Sequence, residues 1–374
     1  MKIVIFGLTI SSSWGNGHAT LWRGLIRALH ARGHQVTFFE RDVPYYAAHR
    51  DLADAEFVDL VLYSDWETIR KAAENTCADA DVAMVTSYCP DGIAATEVVL
   101  SSRAGLKTFY DLDTPITLDR LSRGEELQYI GPNGLRGYDL GFSYTGGSAL
   151  HELKSQLGAK RTVPLYGSVD PANHFRIAPC DRFRCDLSYL GTYAADRQEA
   201  LVQLFIEPAR QLPSKRFLIG GAQYPQEFPW TDNIFFVRHM PPPDHPAFFS
   251  SSRLTLNITR KAMAQMGHCP SGRLFEAAAC GTPLLSDNWQ GLDEFFTPGK
   301  EIIIARETDE AIQALELSDA ELSRIAGAAY ERTFDEHTAA RRAMEFESLL
   351  ANTPSQPRPT AHAVASEFLT LNNS

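Results

Sequence analysis

The run Ser271-Gly272-Arg273-Leu274-Phe275-Glu276-Ala277-Ala278-Ala279-Cys280-Gly281-Thr282-Pro283 holds the residue types and spacing that speak most directly of chemistry. Ser271 can cap a helix, and Gly281 can end it in the left-handed conformation. Arg273 and Glu276 stand three apart, on one face at the start of that helix. A helix amino end with an arginine suits a diphosphate, and a carboxylate one turn on can accept two hydrogen bonds from ribose hydroxyls. Ser271, Gly272, Arg273 and Glu276 are therefore candidates for holding a nucleotide. An exposed Arg–Glu pair on a surface helix would read the same way, but Ala277 to Ala279 permit close packing on a sheet and place the helix centrally.

Other stretches could complete such a site. Asn257, Thr259, Arg260 and Lys261 close an expected strand, where cations can offset charge on a departing diphosphate. Gly191-Thr192-Tyr193 and Gly220-Gly221 each follow an expected strand and could admit phosphate or base closely; alone they are ordinary turns. In the first half, Ser11-Ser12-Ser13-Trp14-Gly15-Asn16-Gly17-His18 links a strand to a helix. Its glycines and the helix end could approach a ligand, and His18 is a candidate for substrate contact. Glu40, closing the second strand, sits about where a ribose-binding acid of an NAD site would be. Against that reading, Thr20 stands where the third glycine of GxGxxG belongs, and the loop is too long for the tight turn. Tyr110-Asp111-Leu112-Asp113-Thr114-Pro115 places two carboxylates at a strand's carboxyl end, suited to substrate binding or base work, or to an Asx turn before proline. Tyr144, Gly146 and Gly147 lie beside a similar edge.

These residues need a scaffold that brings them to one crevice. Strand patterns at Lys2–Leu8, Gln35–Glu40, Val82–Thr86, Leu106–Tyr110 and Asp139–Tyr144 alternate with helices at His18–Arg32 and Ser148–Leu157. The rhythm restarts at Leu187–Leu190, with a helix from Asp196 to about Arg210. Strands follow at Arg216–Ile219, Asn233–Val237 and Leu254–Ile258, then a helix over Ser271–Cys280, strands at Pro283–Leu285 and Glu301–Ile304, and a last helix from about Glu336 to Leu350. Such alternation predicts an α/β fold with two parallel sheets and ligands at the strands' carboxyl ends. The expected domains are 1–160 and 185–334, with a connector at 161–184 and a helix at 335–352 returning to the first domain. A tail at 353–374, carrying Pro354, Pro357 and Pro359, is expected to be mobile at its start.

Bulk properties narrow the function class. The 374 residues match a two-domain prior, and 44% hydrophobic content is ordinary for globular proteins. A formal net charge of −11 argues against a nucleic-acid partner while leaving room for a local basic pocket. Six scattered cysteines without a CxxC pair read as reduced and cytoplasmic; Cys180 and Cys185 lack a second ligand pair for zinc. The apolar start reads as a strand rather than a signal peptide, and no stretch has the length of a membrane span, so any membrane contact would be peripheral.

The 272–283 run, with Asp287 and Phe296-Pro298-Gly299-Lys300-Glu301, resembles the nucleotide-sugar segment of the group 1 glycosyltransferases. Gly17-His18-Ala19, Gly33 to Glu40, Tyr144-Thr145-Gly146-Gly147 and Pro164 to Pro171 extend the likeness toward the CgeB-like, spore-maturation-type branch, up to about Leu350. The resemblance implies the GT-B fold, two Rossmann-like domains facing each other across a cleft. It implies a glycosyltransferase of hexosyltransferase type that moves a sugar from a nucleoside-diphosphate sugar such as a UDP-sugar, a co-substrate, with neither metal nor cofactor. Glu276 would bind ribose and Arg273 would lie near the phosphates, with Gly191, Tyr193, Gly220, Arg260, Lys261, Ser271 and Gly272 completing the donor set. Trp14, Asn16, Gly17, Asp111 and Tyr144 are the acceptor-side candidates, and His18 and Asp113 the catalytic ones. The acceptor could be a glycan, lipid, small molecule or protein. His268 stands eight positions before Glu276, where the family's EX7E pattern has its first acid. Other uses of the same scaffold are a nucleotide-sugar epimerase, an NAD-dependent oxidoreductase and a non-catalytic nucleotide-sugar-binding protein.

Overall fold

The computed structural model describes residues 1–52 and 55–354, so the expectation for the tail lies almost wholly outside the described residues. The first sheet has seven parallel strands, β1 (Lys2–Gly7), β2 (Gln35–Arg41), β3 (Asp59–Tyr63), β4 (Val82–Thr86), β5 (Leu106–Asp111), β6 (Leu140–Ser143) and β7 (Thr162–Pro164), in the order β3-β2-β1-β4-β5-β6-β7. The connecting helices are α1 (Gly17–Ala31), α2 (Pro44–Ala47), α3 (Trp66–Ala78), α4 (Gly92–Ser101), α5 (Thr114–Ser122) and α6 (Ser148–Leu157). β4 is buried along its whole length, as a parallel strand covered on both faces should be.

The second sheet has six parallel strands, β8 (Cys185–Leu190), β9 (Phe217–Gly221), β10 (Ile234–Arg238), β11 (Ser252–Asn257), β12 (Leu284–Ser286) and β13 (Ile303–Ile304), in the order β10-β9-β8-β11-β12-β13. Its helices are α7 (Gln198–Leu201), α8 (Glu207–Gln211), α9 (His245–Ser250), α10 (Lys261–Met266), α11 (Gly272–Ala279), α12 (Thr308–Glu316) and α13 (Asp319–Glu336); α14 (Ala339–Ala351) follows. Strand order reverses between β1 and β4 in one sheet and between β8 and β11 in the other. Each reversal opens a crevice beyond the strands' carboxyl ends.

Three expectations need correcting. The strand Thr162–Pro164 pairs with Gly141–Ser143, so the first sheet extends into the segment assigned to the connector. Pro164 is tolerated because β7 is an edge strand. The helix expected over 196–210 is instead α7 and α8 joined by a π-helical stretch, Val202–Ile206. Pro208 lacks an N–H and its ring would meet the carbonyl a turn earlier, which the wider turn relieves. The last helix starts at Ala339, because α13 runs on to Glu336 and Thr338 caps the new helix by accepting from the Arg341 N–H. α14 lies on the first domain: Ala343, Phe346 and Leu350 share a core with Trp22, Leu25 and Leu29 of α1, and Phe346 meets Phe142 with ring centroids 5.4 Å apart.

Candidate active site between the two sheets

A cavity of about 370 Å³ lies between the carboxyl ends of the two sheets. Of the residues singled out from sequence, Asn16, Gly17, His18, Asp113 and Tyr144 line it from the first domain, and Gly191, Arg260, Ser271, Gly272, Arg273 and Glu276 from the second. Trp14, Asp111, Tyr193, Gly220 and Lys261 are not among its lining residues.

The second domain's wall is built on α11. Ser271 caps it by accepting from the Arg273 N–H, and Leu274, Phe275 and Ala277 to Ala279 are buried, fixing the helix on its sheet. Arg273 and Glu276 are left on the cavity side. Among the described residues the Glu276 carboxylate accepts no hydrogen bond; its nearest cationic candidate is His174 Nε2 at 4.0 Å. Arg197, at the end of a 3₁₀ turn (Ala195–Arg197), also lines the cavity. Its guanidinium donates to the Thr192 carbonyl at 2.6 Å, and its Nε is buried without a partner. Burial presses the Arg197 pKa below its ordinary value, and the nearby Arg273 charge adds to the effect. Among the described residues neither Arg197 nor Arg273 has an ion pair, whereas Arg260 pairs with Asp196 at 3.1 Å. Two guanidiniums without ion pairs beside a helix amino end make an anion site. Arg197 was missed in the sequence; the available signal was a cation a few residues beyond the glycine turn at Gly191.

His174, His245 and Glu276 have ligand atoms within 4.8 Å of one another and are the described residues that could hold a metal ion. The two rings already bond each other, His174 Nε2 to His245 Nδ1 at 3.2 Å, and His245 Nε2 faces the Met240 carbonyl at 3.3 Å. Burial pushes both histidines down to about 4, so they are neutral near pH 7. The Met240 contact assigns the proton on His245 to Nε2 and makes His174 the donor to its Nδ1.

On the first domain's wall, Asn16 Oδ1 accepts from the His18 N–H and caps α1. His18 Nε2 lies 3.1 Å from Asp113 Oδ2, with the two side chains 20% and 19% exposed. His18 Nδ1 is buried without a partner, and the Asp113 carboxylate faces the cleft on this wall. Tyr144 reaches across toward Gly167, where a Cβ would stand 2.2 Å from the phenol oxygen. Burial raises the Tyr144 pKa.

The remaining candidates lie outside the cavity lining. Asp111 is fully buried, with Oδ1 accepting from Thr117 and from the Asp113 N–H, and burial pushes its carboxyl up to about 6. Trp14 stacks on His49 and packs against the tilted His239 ring, at centroid distances of 4.1 and 4.0 Å, and so joins the two domains at the rim. Tyr193 packs against Tyr224 and Phe228. Gly220 lies inside the sheet, where a Cβ would be 3.1 Å from Leu190 and 3.2 Å from Phe248. Lys261 is exposed at the start of α10. Glu40 is 1% exposed and accepts from the Thr9 and Ser11 hydroxyls and the Ile10 and Ser11 N–H groups, so it folds the loop instead of offering itself to a ribose. His268 has a positive φ of 46° and bridges the domains, its carbonyl accepting from the Gly146 N–H at 2.9 Å. Gly147 must be glycine there: its φ is +56°, and a Cβ would sit 2.4 Å from the His268 ring.

Residues 197–348 match the family described as glycosyl transferase-like. No curated protein sequence matches the chain. Among solved structures, an alpha-glucosyltransferase in complex with UDP superposes with a TM-score of 0.71 at 13% identity, over 94% of this chain and 100% of that one. The Anabaena protein HepE in complex with UDP-glucose gives 0.66 at 12% identity, over 94% and 99%. A sucrose-phosphate synthase from Thermosynechococcus elongatus gives 0.66 at 14%, over 93% and 98%. The chain thus has the GT-B fold, two Rossmann-like domains across a cleft, and its glycosyl transferase-like match falls on the part that carries Arg197, α11 and Glu276.

Proposed function

We propose that the protein is a glycosyltransferase that takes a hexose from a nucleoside-diphosphate sugar, a UDP-sugar being the first candidate. The observation that carries this reading is the pair of guanidiniums without an ion pair among the described residues, Arg197 and Arg273, which line the cleft with the Glu276 carboxylate at the mouth of α11. Arg197, Arg273 and the helix end bind the diphosphate, and Glu276 accepts from the ribose hydroxyls. As the bond from anomeric carbon to phosphate oxygen breaks, charge grows on the departing diphosphate, which these groups and Arg260 stabilise. Fixed protein cations carry that charge, so the reading assigns no metal and no further cofactor. An inverting course makes Asp113 the base that takes the acceptor hydroxyl's proton, with His18 holding the carboxylate. A retaining course gives that proton to the leaving phosphate, and Asp113 only orients the acceptor. The net charge of −11 disfavours a DNA acceptor of the kind bound in one alpha-glucosyltransferase complex, and six free thiols support a cytoplasmic site of action.

The test is nucleotide release from UDP-glucose, UDP-galactose, UDP-N-acetylglucosamine and GDP-mannose, with calorimetric titration of each. The expected result is turnover of at least one donor. Glu276→Ala should weaken its affinity about 10–100-fold, the scale of losing hydrogen bonds to a charged group. Binding of none, or unchanged affinity in the variant, contradicts the reading. Conversion of the sugar without nucleotide release identifies an epimerase instead.

A further inference from the structure

A second cavity, of about 840 Å³, opens on the first domain beyond β1 to β4. We propose that it is the acceptor subsite and that it takes a neutral saccharide of two or more rings. This inference rests on the glycosyl-transfer reading for the role of acceptor, but not for the binding of sugar.

Three tyrosines, Tyr46, Tyr88 and Tyr129, line the cavity, together with the planar donors Arg41, Arg120 and Gln128. Phenol rings offer apolar faces with polar rims, and pyranose rings offer apolar C–H faces with hydroxyl edges, so the two surfaces match. The charges of the lining cancel, since Arg41 and Arg120 stand against Asp42 and Glu126. Each arginine is moreover paired to a further carboxylate, Arg41 to Asp91 and Arg120 to Glu125, both at 2.7 Å. This is the opposite of Arg197 and Arg273. A phosphate or carboxylate would have to compete with those partners, whereas hydroxyls can share the N–H groups left over. The volume lies toward the upper end of small-molecule sites, roughly 300–1,000 Å³.

Tyr88 lines this cavity and packs against His18, which lines the cleft. Its ring centroid is 5.4 Å from that of Tyr129 and 5.6 Å from that of His18, the partner of Asp113. Its φ of +64° is a conformation that costs a side-chain-bearing residue about 1–3 kcal/mol and that gathers at ligand clamps. The backbone holds the ring where a chain of sugar units would pass from the cavity to Asp113. The terminal ring would then present its hydroxyl to the carboxylate, with the rest of the chain resting on Tyr88 and Tyr46, while buried Tyr129 backs the Tyr88 ring.

An oligosaccharide array with neutral, carboxylated and phosphorylated members, probed with the full chain at saturating UDP, tests the proposal. The expected result is binding to neutral oligosaccharides, reduced tenfold or more by Tyr46→Ala and by Arg120→Ala in variants that keep the wild-type melting temperature. An array with no bound member, signals unchanged in both variants, or preference for charged members overturns it. Calorimetric titration with UDP separates the two readings. UDP binding with a blank array sinks the saccharide subsite alone, and saccharide binding without any nucleotide affinity sinks the transferase reading alone.

Discussion

Asp111 and Asp113 are two residues apart, yet they do different work. Asp113 faces the cleft beside His18, while Asp111 is sealed beneath it with one carboxylate oxygen unpartnered. Burial raises the Asp111 pKa from 3.8 to about 6, so between these values the folded protein holds a proton that the unfolded chain releases. Stability contributed by this group is therefore full below pH 4 and falls as pH rises toward 6. Above that the folded state carries a buried charge costing on the order of 3 kcal/mol. Asp111→Asn keeps an oxygen for Thr117 and removes the charge. Urea denaturation should show the variant stabilised at pH 8 and close to wild type at pH 4; a variant less stable at pH 8 would contradict this account. The Arg273–Glu276 pair was legible because a cap and a helical spacing locate it on one face. Which member of the Asp111–Asp113 pair is buried was not, since both letters fit a strand end. Nor was Arg197, whose importance is that it faces the cleft with no ion pair among the described residues, a property of the folded chain alone.

At the level of elements, the strongest periodicities and the glycine stops put β1, β2, β4, β5, α1, α6 and α11 within a residue or two of their observed bounds. β3 and α3 escaped notice for a physical reason. β3 is an edge strand with one fully buried side chain, and α3 buries only Trp66, Ala73 and Cys77, so neither needs a strong apolar pattern. β7 was hidden by its proline and its three-residue length. α14 matters more than its position after the second domain implies, because Phe346 is 2% exposed in the core of the first. Phe346→Ala should cost about 3–5 kcal/mol in denaturant unfolding, the usual price of deleting a buried phenyl ring. A loss under 1 kcal/mol would show that α14 does not hold the first domain together.

At the scale of the whole molecule, the two sheets are joined on several sides of the cleft. Trp14 packs against His239 at the rim, and Gly146 bonds His268 beside α11. Val169 exchanges backbone hydrogen bonds with His337 and Ala339, where the chain leaves the second domain's core for α14. These contacts set the opposed walls, one carrying Asp113 and the other Arg197, Arg273 and Glu276. The central claim is that the second wall is incomplete without an anion. Calorimetric titration of UDP into wild type and Arg197→Ala, with melting temperatures measured without ligand, tests it most directly. The account predicts UDP affinity at least about tenfold weaker in the variant. It also predicts a ligand-free melting temperature unchanged or higher, because the substitution removes a largely buried cation that has no ion pair and only the Thr192 carbonyl as acceptor. Equal UDP affinity, or a melting temperature that falls as though a structural ion pair had been cut, would contradict it.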